Sequence, residues 1–457
     1  VNDATTLARR LARFRLERSG LAGAEGRRAT APDERRGRDR AERLAGTVGG
    51  EIRAVGGGWV VRVEAPSLTM PLVRERLATL PGQPEAAARL VCLDTETTGL
   101  GTGAGTLAFL VGLGWWEADR FRRLQLVCPD HGEEPALLAA LEEALPPDSW
   151  LVTYNGRSFD WPLLVTRYRL HRRPPPAHAG MLDLLFGVRR LFRHRLGDAR
   201  LATVERELLG IHRHGDVAGW EIPGRYLEFV RDGSPSTLAP VLTHNAEDLA
   251  SLARLLAHLD SRYADPCRRP LAPAGDLLGL ARAFARERRH EEALVCLEEA
   301  DRAWRPAARG TPVRPFGGTA PGVQAASRER LLAERARTLR RLGRLDEALA
   351  AWAVLAHSGG PAALAAWIET AKLHEHALGD LAGALRAALA AGRLLENRRL
   401  LGRPDPAAEA ALAVRRRRLL RRLGTGAEPA SRATSVNGVA YPGSRDRLAL
   451  APRTNPP

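Results

Sequence analysis

Lysine is almost missing from this 457-residue chain: Lys372 stands alone, and arginine supplies the rest of the 69 basic side chains. Against 53 acids this leaves a formal charge of +16, a balance that invites a polyanionic partner such as nucleic acid. The lack of lysine beside abundant Ala, Gly and Pro marks a compositional bias, so the charge is weak support for that partner. Cysteine is scarce too. Cys92, Cys128, Cys267 and Cys296 lie far apart with no Cys-x-x-Cys pair, which argues against a zinc site and a disulfide framework and for buried free thiols in a reducing compartment. No apolar run reaches the length that crosses a bilayer, so no membrane partner is expected. The start, Val1 to Arg18, alternates Arg with Leu and lacks the apolar run and cleavage site of a signal peptide. A cytoplasmic location is the expectation. No Gly-x-x-x-x-Gly-Lys loop occurs, so an intrinsic ATPase motor is not suggested.

What is present is an ordinary soluble composition, 44% hydrophobic and 27% charged, in a chain long enough for two or three domains. Residues 1–50 read as a basic, mostly flexible arm, with some helix near Leu7 to Leu16 on the spacing of Leu7, Leu11 and Phe14. Residues 51–88 read as a short β/linker segment with a strand at Trp59 to Val63. From Arg89 the texture becomes α/β. Strands are expected at Leu90 to Leu93, Leu107 to Trp116, Arg123 to Val127 and Trp150 to Tyr154, and helices at Glu134 to Leu145 and Phe159 to Leu170. Further helices are expected at Leu182 to Phe192, Leu201 to Leu208 and Leu238 to Leu259. That order suits a mixed central sheet flanked by helices over residues 89–262.

Residues 273–424 read as all-helical. Gly343-Arg344-Leu345-Asp346-Glu347-Ala348-Leu349 is echoed by Gly379-Asp380-Leu381-Ala382-Gly383-Ala384-Leu385, a distance of 36 residues. An earlier unit, Glu291 to Leu294, precedes the first by 55, one repeat plus a Pro/Gly-rich insertion near Arg305 to Gly322. The distance is close to the ~34 of tetratricopeptide helix pairs, which makes a short solenoid the expectation and an irregular helical bundle the alternative. The tail, residues 425–457, is poor in large apolar residues and is expected to be disordered.

Three stretches carry the chemistry. Leu93-Asp94-Thr95-Glu96-Thr97-Thr98-Gly99 ends a buried strand, so Asp94 and Glu96 project to one face and a polar turn follows. In Tyr154-Asn155-Gly156-Arg157-Ser158-Phe159-Asp160, Asp160 falls in the first turn of a helix, where an acid also simply complements the helix dipole, and Asn155 is equally a turn residue. In Thr243-His244-Asn245-Ala246-Glu247-Asp248, His244 and Asp248 share a helix face, as a metal ligand beside a proton acceptor or as a surface pair. Hard divalent cations want oxygen ligands, and converging carboxylates suit them.

Taken together these stretches resemble the ribonuclease-H-like DEDD 3′→5′ exonuclease superfamily, and within it the bacterial YprB-type proteins that join such a domain to tetratricopeptide-like helices. Leu182-Asp183-Leu184-Leu185, Leu201 to Gly210, and Gly219-Trp220-Glu221-Ile222-Pro223 with Tyr226 match that subgroup too. The likeness covers about Arg89 to Asp260. It implies a ribonuclease-H-like domain followed by an all-α helical region, two Mg²⁺ or Mn²⁺ ions held by Asp94, Glu96, Asp160 and Asp248, and His244 orienting the attacking water. Thr97, Asn155 and Arg157 are the candidate contacts to a single-stranded DNA or RNA substrate. In the His-type branch the imidazole precedes the last Asp by five positions; here the gap is four, the spacing of the Tyr-type branch. His244 is then either a Tyr substitute or out of reach of the water. Asp183 is a fifth acid or an N-terminal helix charge. The implied reaction is phosphodiester hydrolysis. The alternative is a catalytically idle nucleic-acid-binding adaptor whose helical repeats dock a protein partner.

Overall fold

The computed structural model describes residues 31–99, 101, 103–304 and 321–425. The helix expected near Leu7 to Leu16 and the tail beyond Thr425 lie outside these described residues. The chain divides into two compact units, Val1–Ala363 and Leu364–Pro457.

The first unit is built on one seven-stranded sheet, preceded by α1 (Ala31–Val48). Its strands are β1 (Glu51–Val55), β2 (Gly58–Thr69), β3 (Arg89–Thr97), β4 (Ala108–Glu117), β5 (Arg120–Val127), β6 (Ser149–Thr153) and β7 (Gly180–Asp183), in the order β1-β2-β5-β4-β3-β6-β7. The first five pair antiparallel across that order, whereas β6 runs parallel to β3 and β7 parallel to β6. Between and after the strands come α2 (Glu134–Ala144), α3 (Asp160–Leu170), α4 (Leu184–Phe192), α5 (Ile222–Asp232) and α6 (Ala239–Leu259).

Alternation along β3 sorts the core into two layers. Val91 and Leu93 join the cluster containing α1, α2, α3 and α5, while Leu90 and Cys92 join the cluster containing α4 and the C-terminal half of α6. The mixed sheet with helices on both faces agrees with the expected fold class.

Four expectations need correction. The flexible arm is, over Ala31–Val48, a helix whose buried seam is Gly37, Arg40, Ala41, Leu44 and Ala45. Arg40 stays inside because its guanidinium donates to Asp130 and to the Val230 carbonyl. The supposed β/linker segment supplies two full strands of the sheet, with β1 and β2 joined across Gly56 and Gly57 so that Val55 faces Gly58. Within Leu182 to Phe192, Leu182 and Asp183 end strand β7, and the helix begins only at Leu184. The segment expected as a helix from Leu201 is one α-turn, Leu201–Val204, followed by a π-helical turn, Glu205–Leu209.

Helices follow. The first unit continues with α7 (Ala274–Arg286), α8 (His290–Trp304), α9 (Pro321–Arg341) and α10 (Leu345–His357). The sequence echo has a local cause: Gly343 at φ 76° and Gly379 at φ 67° each turn the chain two residues before a helix starts. Arg288, at φ 61°, stands in the same place before α8, and its identity hid the third member of the set.

The second unit holds α11 (Ala363–His376) from Leu364 onward, α12 (Leu381–Leu400) and α13 (Pro406–Thr425). Its core is Leu364, Leu395, Leu412 and Leu419 set among buried alanines, which let the helices approach closely.

Candidate active site

Pairing of β3 with β6 ends at Cys92 opposite Val152, so the last part of β3 runs past its parallel neighbour. Asp94, Thr95 and Glu96 lie on that overhang, the usual position for a binding crevice in an open α/β sheet. Asp94 and Glu96 continue the face of Leu90 and Cys92, toward α6. Thr95 points the other way, toward α3, and its hydroxyl donates to Asp160 Oδ1 at 2.6 Å. The overhang therefore joins the first two motifs.

The third motif is fixed from α6. Asn245, fully buried, donates from Nδ2 to Asp94 Oδ2 at 2.8 Å. Gln125 of β5 donates to Asn245 Oδ1 at 3.0 Å and to the Leu242 carbonyl at 2.7 Å. Arg123, two residues earlier on the same strand, donates to the Ala246 carbonyl at 2.9 Å. The close seating of α6 needs a glycine beneath it. A Cβ on Gly112, the β4 residue opposite Asp94, would fall 2.3 Å from Asn245 Oδ1.

Asp248, one turn after Asn245, is bound by a loop the sequence reading did not single out. Arg213 donates from Nη2 to Asp248 Oδ1 at 2.5 Å and also to Glu205, and its Nη1 reaches Asp216 Oδ2 at 3.0 Å. Asp216 in turn meets His244: Nδ1 lies 2.8 Å from Asp216 Oδ1, and Nε2 lies 3.7 Å from Asp248 Oδ2. His244 thus has a carboxylate behind one ring nitrogen and the other turned toward Asp248. A cavity of about 420 Å³ opens here, lined in part by Glu205, His212, Arg213, His244 and Asp248.

The electrostatics are those of crowded acids. Burial, followed by the charges of Asp248, Glu96 and Asp160, raises the Asp94 pKa well above the carboxylate range. Burial, then Asp248 and Asp160, does the same for Glu96. Asp160 is pushed up to about 6 by burial against the pull of the Thr95 hydroxyl. Asp248 is raised by burial although His244 and Arg213 oppose the shift. Burial also works against the charge of Asp216, yet His244 and Arg213 hold it below the usual range.

Among the described residues no group of three or more His, Cys, Asp and Glu side chains is arranged to hold a metal ion. The donor set still has the chemistry of a hard-cation site. Its members are carboxylates that destabilise one another's charge, and Glu96, only 8% exposed, receives no hydrogen bond from any described residue.

The other candidates lie as follows. Thr97 turns its hydroxyl to the Gly99 carbonyl at 2.6 Å. Asn155 sits at φ 67° in the turn before α3, with its side chain exposed. Arg157 is exposed and donates to the Met181 carbonyl at 3.1 Å. Asp183 caps α4 through Leu185 N at 3.1 Å and also accepts from the backbone of Asn155 at 2.9 Å and Arg157 at 3.2 Å. It acts as a clamp on the turn that delivers Asp160.

Comparison with known proteins agrees with this geometry. Residues 91–260 match the RNase_H_2 family model, of the RNase_H superfamily. The uncharacterized protein YprB of Bacillus subtilis (strain 168) is 37% identical over 211 residues, covering 46% of this chain and 51% of that protein. The chain therefore spans about half the length of the curated relative it matches.

Proposed function

Taking as premise that the α/β domain has the ribonuclease-H-like fold, we propose that it is a metal-dependent nuclease that hydrolyses phosphodiester bonds of DNA or RNA, acting as a 3′→5′ exonuclease. The observation that carries the reading is the convergence of Asp94, Glu96, Asp160 and Asp248, whose charges raise the pKa values of Asp94 and Glu96, with Glu96 receiving no hydrogen bond from any described residue. An isolated buried charge is costly, and four facing one another need a compensating cation. These residues would hold Mg²⁺ or Mn²⁺, two ions in the full reading, whose chemistry is to neutralise charge on the entering and leaving phosphate oxygens.

The chain's own groups do the rest. Asn245 and Thr95 hold Asp94 and Asp160 in fixed rotamers. Asp216 steadies the His244 ring through Nδ1, which leaves Nε2 to accept a proton from water. The contact from Asp216 on the loop side supports counting His244 in the site despite the four-residue spacing. Arg157 and Asn155, exposed on the turn before Asp160, would meet substrate phosphates.

The test is shortening of end-labelled single-stranded DNA and RNA in Mg²⁺ or Mn²⁺, with EDTA and Asp94→Ala as controls, on 3′ ends both free and blocked. A second reading, a catalytically idle nucleic-acid adaptor with a partner docked on its helices, draws on Arg213, which already neutralises Asp248. Tight oligonucleotide binding with no shortening in either metal would favour the adaptor and end the nuclease reading.

A further inference from the structure

We propose that the cleft between α4 and α7 is a binding track for the phosphodiester backbone of a single-stranded nucleic acid. The proposal rests on the nucleic-acid reading above and adds where the strand runs. On α4, Phe186, Arg189, Arg190 and Arg193 recur at the spacing of one helix face. On α7, Gly275, Gly279, Arg282 and Arg286 do the same. The two helices meet backbone to backbone at Gly279, where a Cβ would fall 2.6 Å from the Arg190 carbonyl oxygen and 2.9 Å from Leu191 Cα. From that crossing the basic flanks diverge around a cleft of about 660 Å³, closed on a third side by Arg330 of α9.

The chain is rich in arginine everywhere, so number alone decides nothing. What separates this cleft is the excess of cations over the anions near it. Six arginines and His194 line it, and no acid does. Arg282 has an ion pair to Glu334 at 3.4 Å, beyond the lining, and His194 faces Asp276 at 3.2 Å. Arg190 and Arg286 stand near enough to oppose each other's charge; after burial, Arg286 is the largest influence lowering the Arg190 pKa, and Glu287 offsets it only in part. Cations gathered in excess of anions suit a polyanion, and Phe186, 44% exposed at the rim, offers a base a stacking surface.

The location points toward the carboxylates. The cleft shares Arg189 and Arg193 with a neighbouring cavity of about 460 Å³ that is also lined by Asp198 and Ala199, and the short connection from Ala199 to Leu201 leads in the chain to the lining of the cavity holding His244 and Asp248. Asp183 caps α4 and clamps the Asn155–Arg157 turn, so the basic face is rigidly tied to the loop that delivers Asp160. A strand held by its phosphates on α4 and α7 would pass along these cavities without regard to base sequence.

The test measures binding rather than turnover. Fluorescence anisotropy of 5′-labelled 20-nucleotide oligo(dT) and oligo(U) is followed in EDTA with the full chain, Arg190→Glu/Arg286→Glu, the size-conserving Arg190→Gln/Arg286→Gln, and Phe186→Ala. The double variants are expected to bind about tenfold more weakly, with a salt slope reduced by about 1.4 for two lost phosphate contacts. Phe186→Ala should weaken binding about fivefold at unchanged salt slope. Unchanged affinity and salt slope in the folded Gln variant overturns the proposal. So does displacement of the oligonucleotide by polyglutamate at equal charge, which would assign the cleft to an acidic peptide. Loss of binding in the variants of a protein that cleaves nothing keeps the track and discards the nuclease.

Discussion

Asn245 and Asp94 are joined by a hydrogen bond whose direction cannot be reversed. Gln125 donates to Asn245 Oδ1, so the amide oxygen faces β5 and the amide nitrogen faces the Asp94 carboxylate, 2.8 Å away. Turning the amide over would break both contacts and set an oxygen against an already crowded acid. One oxygen of Asp94 is thereby fixed, and the other remains for an external ligand.

Asn245→Ala is therefore expected to lower kcat about 10- to 100-fold with little change in KM, as loss of a ligand-orienting partner does. It also removes one of the two acceptors of the buried Gln125 amide, leaving the Leu242 carbonyl as the other, at a cost of about 1 kcal/mol in stability. Asn245→Asp should be worse, since it adds a fifth carboxyl beside Asp94. Steady-state kinetics on labelled oligonucleotides with urea melts checks both. Wild-type kcat in a folded Asn245→Ala protein would remove the residue from the site.

Gly112→Ala probes the same contact from below. Its methyl would lie 2.3 Å from Asn245 Oδ1 and 2.9 Å from Leu249 Cδ1, so α6 must lift or Asn245 must leave Asp94. A loss of about 1–3 kcal/mol is expected from overpacking, with activity falling alongside. Gly132→Ala, whose methyl meets nothing within 4 Å, is the control and should melt within about 0.5 kcal/mol of wild type. Equal melting of the two variants would mean that the seat under α6 is soft.

The parts of this arrangement that obey a period were legible in the sequence. Leu90 to Glu96 announces a buried strand that ends in two acids on one face, and His244 to Asp248 announces one helix face. Other parts obey no period. α1 buries Gly37, Arg40, Ala41 and Ala45, none of which reads as core, and only Leu44 carries an ordinary apolar signal. β7 is four residues long and merges with the apolar start of α4. Arg213 and Asp216 lie in a connection between helices, and their link to Asp248 and His244 is purely tertiary. Gln125 did leave a trace, a polar residue in an otherwise apolar run. Its meaning depends on which helix covers it.

The acids should make stability depend on pH with an unusual sign. Raised native pKa values mean that the folded protein binds protons more tightly than the unfolded chain, so stability falls as pH rises between the two values. For Asp160 the window runs from its ordinary 3.8 to about 6, worth on the order of 3 kcal/mol. The shifts at Asp94 and Glu96 extend the effect upward. Metal-free protein is expected to lose this contribution progressively on going from below about pH 4 to about pH 7. Mg²⁺ should restore it at the higher pH, and Asp160→Asn should flatten the curve. Thermal melts across pH with EDTA or Mg²⁺ decide the matter; a flat metal-free profile would show that the carboxyls are not crowded. Activity should run the opposite way and decline below about pH 6, where protons compete for the same oxygens.

His244 and Asp216 should behave as one unit. The imidazole reaches the site from a helix position that the four-residue spacing alone leaves ambiguous, and the 2.8 Å contact from Asp216 to Nδ1 fixes its rotation. If that contact gives His244 its function, His244→Ala and Asp216→Ala each lower kcat about tenfold or more, and the double variant is no worse than the worse single one. Asp216 also binds Arg213, so Asp216→Ala carries a stability cost that His244→Ala does not share. Asp216→Asn separates the two roles, because an amide can still hold Nδ1 in place while the negative charge behind the ring is gone. Recovery of most of the kcat by Asn makes orientation the contribution of Asp216, and failure to recover makes it charge. Simple additivity of the two alanine variants would show that His244 works without Asp216, and the pairing would then be a feature of the loop alone.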